Sequence, residues 1–253
     1  MFKILLSPAK SIDTNVTGYG KPSIPEFESQ AELLILKLKK MSPKELGDLM
    51  SISDRLADLN WSRFQNWKSL KNNSEAIQPV FSFTGEVFKG LGASSMNEHE
   101  LLKAQDSIRV ISGLYGLLKP LDGISPYRLE MGTKFNASDS SSSLYEFWGE
   151  KLTNSLNGEL KSNEVVINLA SKEYSRAIHF KKIEHRVISP LFKDYKNGKL
   201  KTIMMYAKKA RGTMARYIVQ NNLDSLEDLK NYNVDNYVFD ENLSTDKEWI
   251  FTR

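Results

Sequence analysis

The stretch from Lys201 to Gln220, KTIMMYAKKARGTMARYIVQ, constrains the fold more than any other. Its first half alternates. Lys201, Ile203, Met205 and Ala207 fall opposite Thr202, Met204 and Tyr206, and most are apolar, as in a strand buried on both faces. From Lys208 the period changes. At 100° per residue, Ala210, Met214, Tyr217 and Ile218 share one side, while Lys208, Lys209 and Arg216 share the other with Gly212 between them. The expectation is a buried strand that delivers a helix with a cationic exposed side. The helix start would offer free N–H groups, and Gly212 would let a phosphate approach the backbone. A solvated basic face is the plainer reading of such a run. Against it stand the strand-to-helix junction, the glycine, and the lack of any acid between Lys196 and Gln220.

Charge sharpens the point. The 253 residues carry a formal net charge of only +4. Yet Lys172 to Arg216 holds thirteen Lys or Arg against three acids, and Tyr217 to Arg253 holds three against eight. One segment carries the excess, which implies a polyanionic partner, and the tail is acidic. There is no cysteine, so disulfide frameworks and Cys-based metal or nucleophile sites are excluded, which fits a cytoplasmic protein. No apolar run approaches eighteen residues, so no membrane partner is expected, and MFKILLSPAKS reads as a first strand rather than a signal peptide.

Taken in order, Lys3 to Ser7 reads as a strand ended by Pro8, with Lys10 in the loop beyond it, where α/β folds place ligand contacts. Residues 14–25 read as an extended loop. Helices are expected over 26–40, over 43–50 behind the capping box Ser42-Pro43-Lys44-Glu45, and over 53–67 with Leu56, Leu59, Phe64 and Trp67 inward. Residues 79–83 read as a short strand, and 97–111 as a helix capped by Asn97. The glycine-bracketed turn Ser112-Gly113-Leu114-Tyr115-Gly116 follows. It looks like a helix-hairpin-helix element, whose N–H groups face a DNA phosphate; a packed glycine turn is the plainer reading. Residues 124–132 read as a strand that puts Arg128 and Glu130 on one face. Residues 138–143 are a serine-rich loop, 144–157 a helix, and 164–170 a buried strand ending in Ser171-Lys172-Glu173-Tyr174. Residues 185–191 are a strand, and Asn197-Gly198 marks a hairpin. Residues 225–229 form a short helix, and 238–239 with 249–252 form two edge strands. Strands and helices interleave without repeat or linker, so residues 1–253 are expected to form one α/β (α+β) domain with a mixed central sheet flanked by helices.

Several chemistries are missing. The glycines at 85, 90 and 92 lack Rossmann or Walker spacing, no Gly-x-Ser-x-Gly elbow occurs, and His99, His179 and His185 are not spaced as metal ligands. No metal or cofactor is called for. What remains is a set of polar residues beyond strand ends, in which Lys10 or Lys208 beside Glu130 or Glu173 has the makings of an acid–base pair.

SPAKS at 7–11, SGLYGLLKPLD at 112–122, PYRLEMG at 126–132, LYEFWG at 144–149, INLASKEY at 167–174, and FKDYKNGKLK with YAKKARGTMARY from 192 to 217 together resemble the YaaA family of peroxide-stress proteins. The resemblance implies a cytosolic bacterial protein with a basic cleft and a helix-hairpin-helix-like element. It also implies binding of duplex and branched DNA, and a part in limiting free iron under hydrogen peroxide.

Two readings follow. As a DNA-binding protein of low sequence specificity, the chain would use Lys10, Arg128, Lys172, Lys208, Lys209, Arg211, Gly212 and Arg216 for phosphates, with the turn Gly113, Tyr115 and Gly116 supplying N–H groups. As an enzyme on a nucleobase or nucleotide-like phosphate ester, it would hold a small ligand in the same cleft and use Lys10, Glu130, Glu173 or Lys208. The resemblance puts the first reading ahead, and a third, plainer one makes the basic patch a face for an acidic protein.

Overall fold

The computed structural model describes residues 1–137 and 141–253, and three residues of the serine-rich loop, 138–140, lie outside the described residues. In chain order it runs β1 (Phe2–Leu6), α1 (Glu28–Leu38), α2 (Pro43–Met50), α3 (Asp54–Gln65), α4 (Pro79–Ser82), α5 (Glu86–Leu91), α6 (Glu98–Ser107), β2 (Ile108–Ser112) and β3 (Gly116–Leu118). It continues through α7 (Leu144–Trp148), α8 (Lys151–Glu159), β4 (Val165–Asn168), α9 (Lys172–Ser175), β5 (Val187–Lys196) and β6 (Lys199–Lys201). The last elements are α10 (Met204–Gln220), α11 (Leu226–Lys230), β7 (Val238–Asp240) and β8 (Glu248–Thr252).

The strands make one mixed sheet in the order β3-β2-β1-β4-β5-β8-β7, with β6 paired to β5. Its inner strands β2, β1, β4, β5 and β8 are parallel, and β3, β6 and β7 run antiparallel to their neighbours. All five residues of β1 and of β2 are buried, as parallel strands covered on both faces require. The architecture is the expected α/β one. It has a particular consequence. The chain leaves β1 toward β2 on one side and later returns to β4 on the other, so β1 and β4 flank a switch point. In open α/β sheets a crevice forms outside the carboxyl ends of two such strands.

Local chemistry explains several elements. Ser42 and Glu45 cap α2 reciprocally, and Asn97 and Glu100 do the same for α6. Asn197 and Gly198 take left-handed φ values of 53° and 70° in the β5–β6 turn. Among the described residues no helix is long and apolar enough to cross a membrane.

Five readings are corrected. Residues 204–207 are the first turn of α10, not strand, and β6 ends at Lys201. Met204, Met205 and Tyr206 are 60, 57 and 41 % exposed, so their apolarity does not signal burial. Residues 79–82 are a helical turn started by Pro79 at its first position. The helix at 97–111 stops at Ser107, and the chain passes directly into β2. Residues 112–118 are therefore not a helix-hairpin-helix. β2 and β3 pair antiparallel around the turn, Ser112 Oγ accepts from the N–H groups of Leu114 and Tyr115, and Tyr115 is 1 % exposed. Gly113 abuts Leu129, and Gly116, at φ 70°, abuts the ring of Trp148. No N–H of that turn faces an outside phosphate. Residues 124–132 contain no regular strand; Ile124 makes one bridge to Ile77. Two smaller differences remain: Gly149, at φ 48°, breaks the 144–157 helix into α7 and α8, and β8 lies inside the sheet, which leaves β7 as the edge.

Candidate functional site

The loops after β1 and β4 meet at the switch point. Ser7, the first residue past β1, accepts a hydrogen bond from the Ser171 N–H at 2.8 Å and donates from its Oγ to Ser171 Oγ at 3.2 Å. Ser11 and Thr84 join the first loop to the segment before α5, with the Thr84 N–H donating to Ser11 O at 3.2 Å. α10 closes the far side. It can lie close because Gly212 and Gly90 face each other across α10 and α5: a Cβ on Gly212 would sit 1.8 Å from Val87 O. Gly212 is thus buried in a helix crossing and is not open to a ligand, which corrects its expected role.

These walls enclose a cavity of about 360 Å³ bordered by residues 7–11, 84–88, Ser171, Glu173 and Tyr174, with Lys208 and Arg211 reaching it from α10. A second, wider hollow of about 710 Å³ adjoins it, and Lys10 and Glu173 border both. Arg128, Glu130, residues 132–134 and the end of α2 line the second hollow.

The charged residues of the cleft differ in what they already hold. Lys10 Nζ lies 2.5 Å from Glu130 Oε2, and Arg128 Nη2 lies 2.9 Å from Glu130 Oε1, so one carboxylate bridges two cations. The buried Nε of Arg128 has no hydrogen-bond partner among the described residues. Glu173 accepts from the Gly132 N–H at 3.1 Å. The Tyr174 hydroxyl is pushed well above its ordinary pKa by burial first, and by the Glu173 charge next, so it stays protonated at neutral pH. Arg211 stands apart. It is half-buried, burial lowers its pKa from the usual guanidinium value, and no hydrogen bond or ion pair ties it to any described residue. An arginine remains charged under any such shift, so its donors are available to an outside group.

The other expected phosphate ligands fall elsewhere. Arg216 donates to Leu91 O at 3.0 Å and Gly92 O at 2.6 Å and closes the C-terminal end of α5, and its Nε donates to Gln220. Lys209 pairs with Asp235 at 3.2 Å. Lys172 and Lys208 are exposed. The cleft therefore gathers Lys10, Arg128, Glu130, Glu173, Lys208 and Arg211, with Lys172 at its margin by sequence. Gly113, Tyr115, Gly116, Lys209, Gly212 and Arg216 serve the fold. Ser7, Ser171 and Thr84, which build the cavity, were not singled out from the sequence. The signal for two of them was there: Ser7 and Ser171 each follow a strand end in the blocks SPAKS and ASKEY.

The family model described as "Peroxide stress protein YaaA" matches residues 2–243. Among curated proteins, a UPF0246 protein of Flavobacterium johnsoniae is 48 % identical over 99 % of this chain and 100 % of its own length. One from Flavobacterium psychrophilum is 46 % identical over 99 % of this chain and 100 % of its own. A third, from Paraburkholderia phytofirmans, is 44 % identical over 99 % of this chain and 98 % of its own. The family model covers most of the chain and these relatives nearly all of it, and the chain belongs to the YaaA peroxide stress protein family.

Proposed function

We propose that this protein serves the cytoplasmic response to hydrogen peroxide by holding DNA phosphates at the cleft outside β1 and β4. The observation that carries this reading is Arg211, a half-buried guanidinium that borders the cavity with no partner among the described residues. Lys208 and Lys172 add exposed positive charge. Nothing in the cleft presents a row of side chains for base edges, so the contact would be led by charge and shape. With Lys209 and Arg216 engaged elsewhere, about three phosphates remain to be neutralised, and log affinity against log salt should fall with a slope of roughly −3. Duplex and branched DNA titrated at several salt concentrations test this. A slope near zero would exclude it. Among the described residues no group of three or more His, Asp or Glu side chains is placed to hold a metal ion. We therefore assign the part in limiting free iron to an indirect route.

A second reading is favoured by one contact. Lys10, which borders both hollows, meets Glu130 of the wider one in an ion pair at 2.5 Å, so a cation and a carboxylate stand side by side within reach of one ligand. In that reading the protein turns over a nucleobase or nucleotide-like phosphate ester. Lys10→Ala separates the two: turnover would drop by orders of magnitude, whereas a phosphate contact would lose about tenfold in affinity or less.

A further inference from the structure

We infer that the enclosed cavity takes a single nucleotide unit, with its phosphate on Arg211 and Lys208 and its heterocycle against the wall formed by Pro8, Ala9, Val87 and Phe88. The inference rests on the cleft being a phosphate site and goes further, to what occupies its closed part.

Three observations carry it. The first is size. A sphere of about 360 Å³ is about 9 Å across, which is narrower than the ~12 Å major groove of a duplex. The volume falls at the low end of small-ligand pockets. A duplex stays outside, and only one residue of a strand, or a free nucleotide, enters. The second is the division of the lining. Pro8, Ala9, Val87 and Phe88 supply an apolar side, and Lys208 and Arg211 a cationic one. A heterocycle bearing a phosphate matches both; inorganic phosphate matches one. The third is the state of the charges. Lys10 is held by Glu130, and Glu86 by Lys89 at 2.6 Å; of the charges left on the lining, Lys208 and Arg211 outnumber Glu173, whose carboxylate accepts from the Gly132 N–H. Ser7 and Ser171 add hydroxyls at the strand ends, already fixed to one another. The same chemistry has two sources, a free nucleoside monophosphate and a nucleotide turned out of a DNA strand. Extrusion costs least where pairing is already lost.

The test uses the full chain and the probes dAMP, dCMP, dGMP, dTMP, the matching nucleosides and inorganic phosphate, measured by calorimetry. At least one monophosphate should bind saturably, and better than its nucleoside or inorganic phosphate. Arg211→Met should weaken it roughly ten- to hundredfold, the loss expected for hydrogen bonds to a charged group. Thr84→Trp, which fills the cavity from an exposed position, should do the same, and Lys199→Ala at the start of β6 should not. A thermal melt of each variant separates lost binding from lost fold. In the second arm, a duplex with 2-aminopurine opposite an abasic site should brighten on binding, and Thr84→Trp should abolish the rise, if the strand is the source. Monophosphate binding without that rise assigns the site to the free nucleotide. If duplex DNA binds with a steep salt slope while no monophosphate binds and 2-aminopurine stays dark, the inference is overturned and the phosphate-binding cleft survives. If neither DNA nor any monophosphate binds, both fall together.

Discussion

Gly212 of α10 and Gly90 of α5 meet with no space for a side chain on either: a Cβ on Gly212 would lie 1.8 Å from Val87 O, and one on Gly90 would lie 2.3 Å from Lys209 O. In an isolated helix, alanine would be favoured over glycine by up to about 1 kcal/mol. Here the clash is with backbone, which cannot turn aside. Gly212→Ala should therefore destabilise the protein by about 1–3 kcal/mol, as overpacking does, and a urea melt would register it. An unchanged midpoint would mean that the two helices do not cross this closely.

Arg216 and Arg211 should separate by experiment. Arg216→Ala removes the two bonds that close α5, at a cost of about 1–3 kcal/mol in stability. DNA affinity measured well below the melting temperature should stay within twofold. Arg211→Met should do the reverse, with little change in the melt and a clear loss of binding. If the two variants behave alike, the distinction between engaged and unengaged arginines fails.

Glu130 restrains two cations at once, Lys10 and Arg128. Glu130→Gln keeps the shape and removes the counter-charge. Affinity for duplex DNA at low salt should rise several-fold, and the salt slope should steepen by roughly one to two as those cations become available to phosphates. A fall in affinity would instead mark Glu130 as a ligand contact.

Asp122 gives the fold a defined pH dependence. Its carboxylate is 1 % exposed and accepts from Ser23 Oγ and the Lys119 N–H, both at 2.7 Å, yet burial outweighs these bonds and pushes its pKa up to about 6. A raised carboxyl favours the protonated folded state. Its stabilising contribution is full below about pH 4 and is lost as pH rises through 6, a change of roughly 3 kcal/mol. Asp122→Asn removes this dependence. The wild-type stability measured relative to the variant should fall between pH 4 and 7 and stay flat above that. A difference that does not vary with pH would contradict the shift.

The sequence revealed what local chemistry dictates and hid what depends on distant partners. The capping box at Ser42, the Asn197-Gly198 turn and the apolar β1 and β4 were legible because their signals lie within a few residues. β2 was not, because no breaker separates Ser107 from Ile108, and the apolar spacing of α6 runs on into the strand. Gly113 and Gly116 signalled a tight turn correctly. What they could not signal was that Leu129 and Trp148 would close over it. The cleft was half legible. Lys10, Lys172 and Glu173 announced themselves as polar residues past strand ends, and Arg128 and Glu130 as neighbours on one face. Among Lys208, Lys209, Arg211 and Arg216, however, the helical period alone cannot tell which cation is already held. That depends on Asp235 and on the end of α5.

The bond between Ser7 and Ser171 spans 164 residues of chain. During synthesis the first loop leaves the ribosome long before its partner exists, and the helix that carries Arg211 follows later still. Long-range parallel pairing of this kind forms slowly. The nascent protein thus carries no finished cleft for most of its elongation, and a fragment that ends before β4 would lack Ser171, Glu173, Lys208 and Arg211 from the wall of the cavity. Occupancy of the site is consequently a property of finished molecules alone, so a ligand that binds there reports on completed folding and stabilises only chains that have reached it.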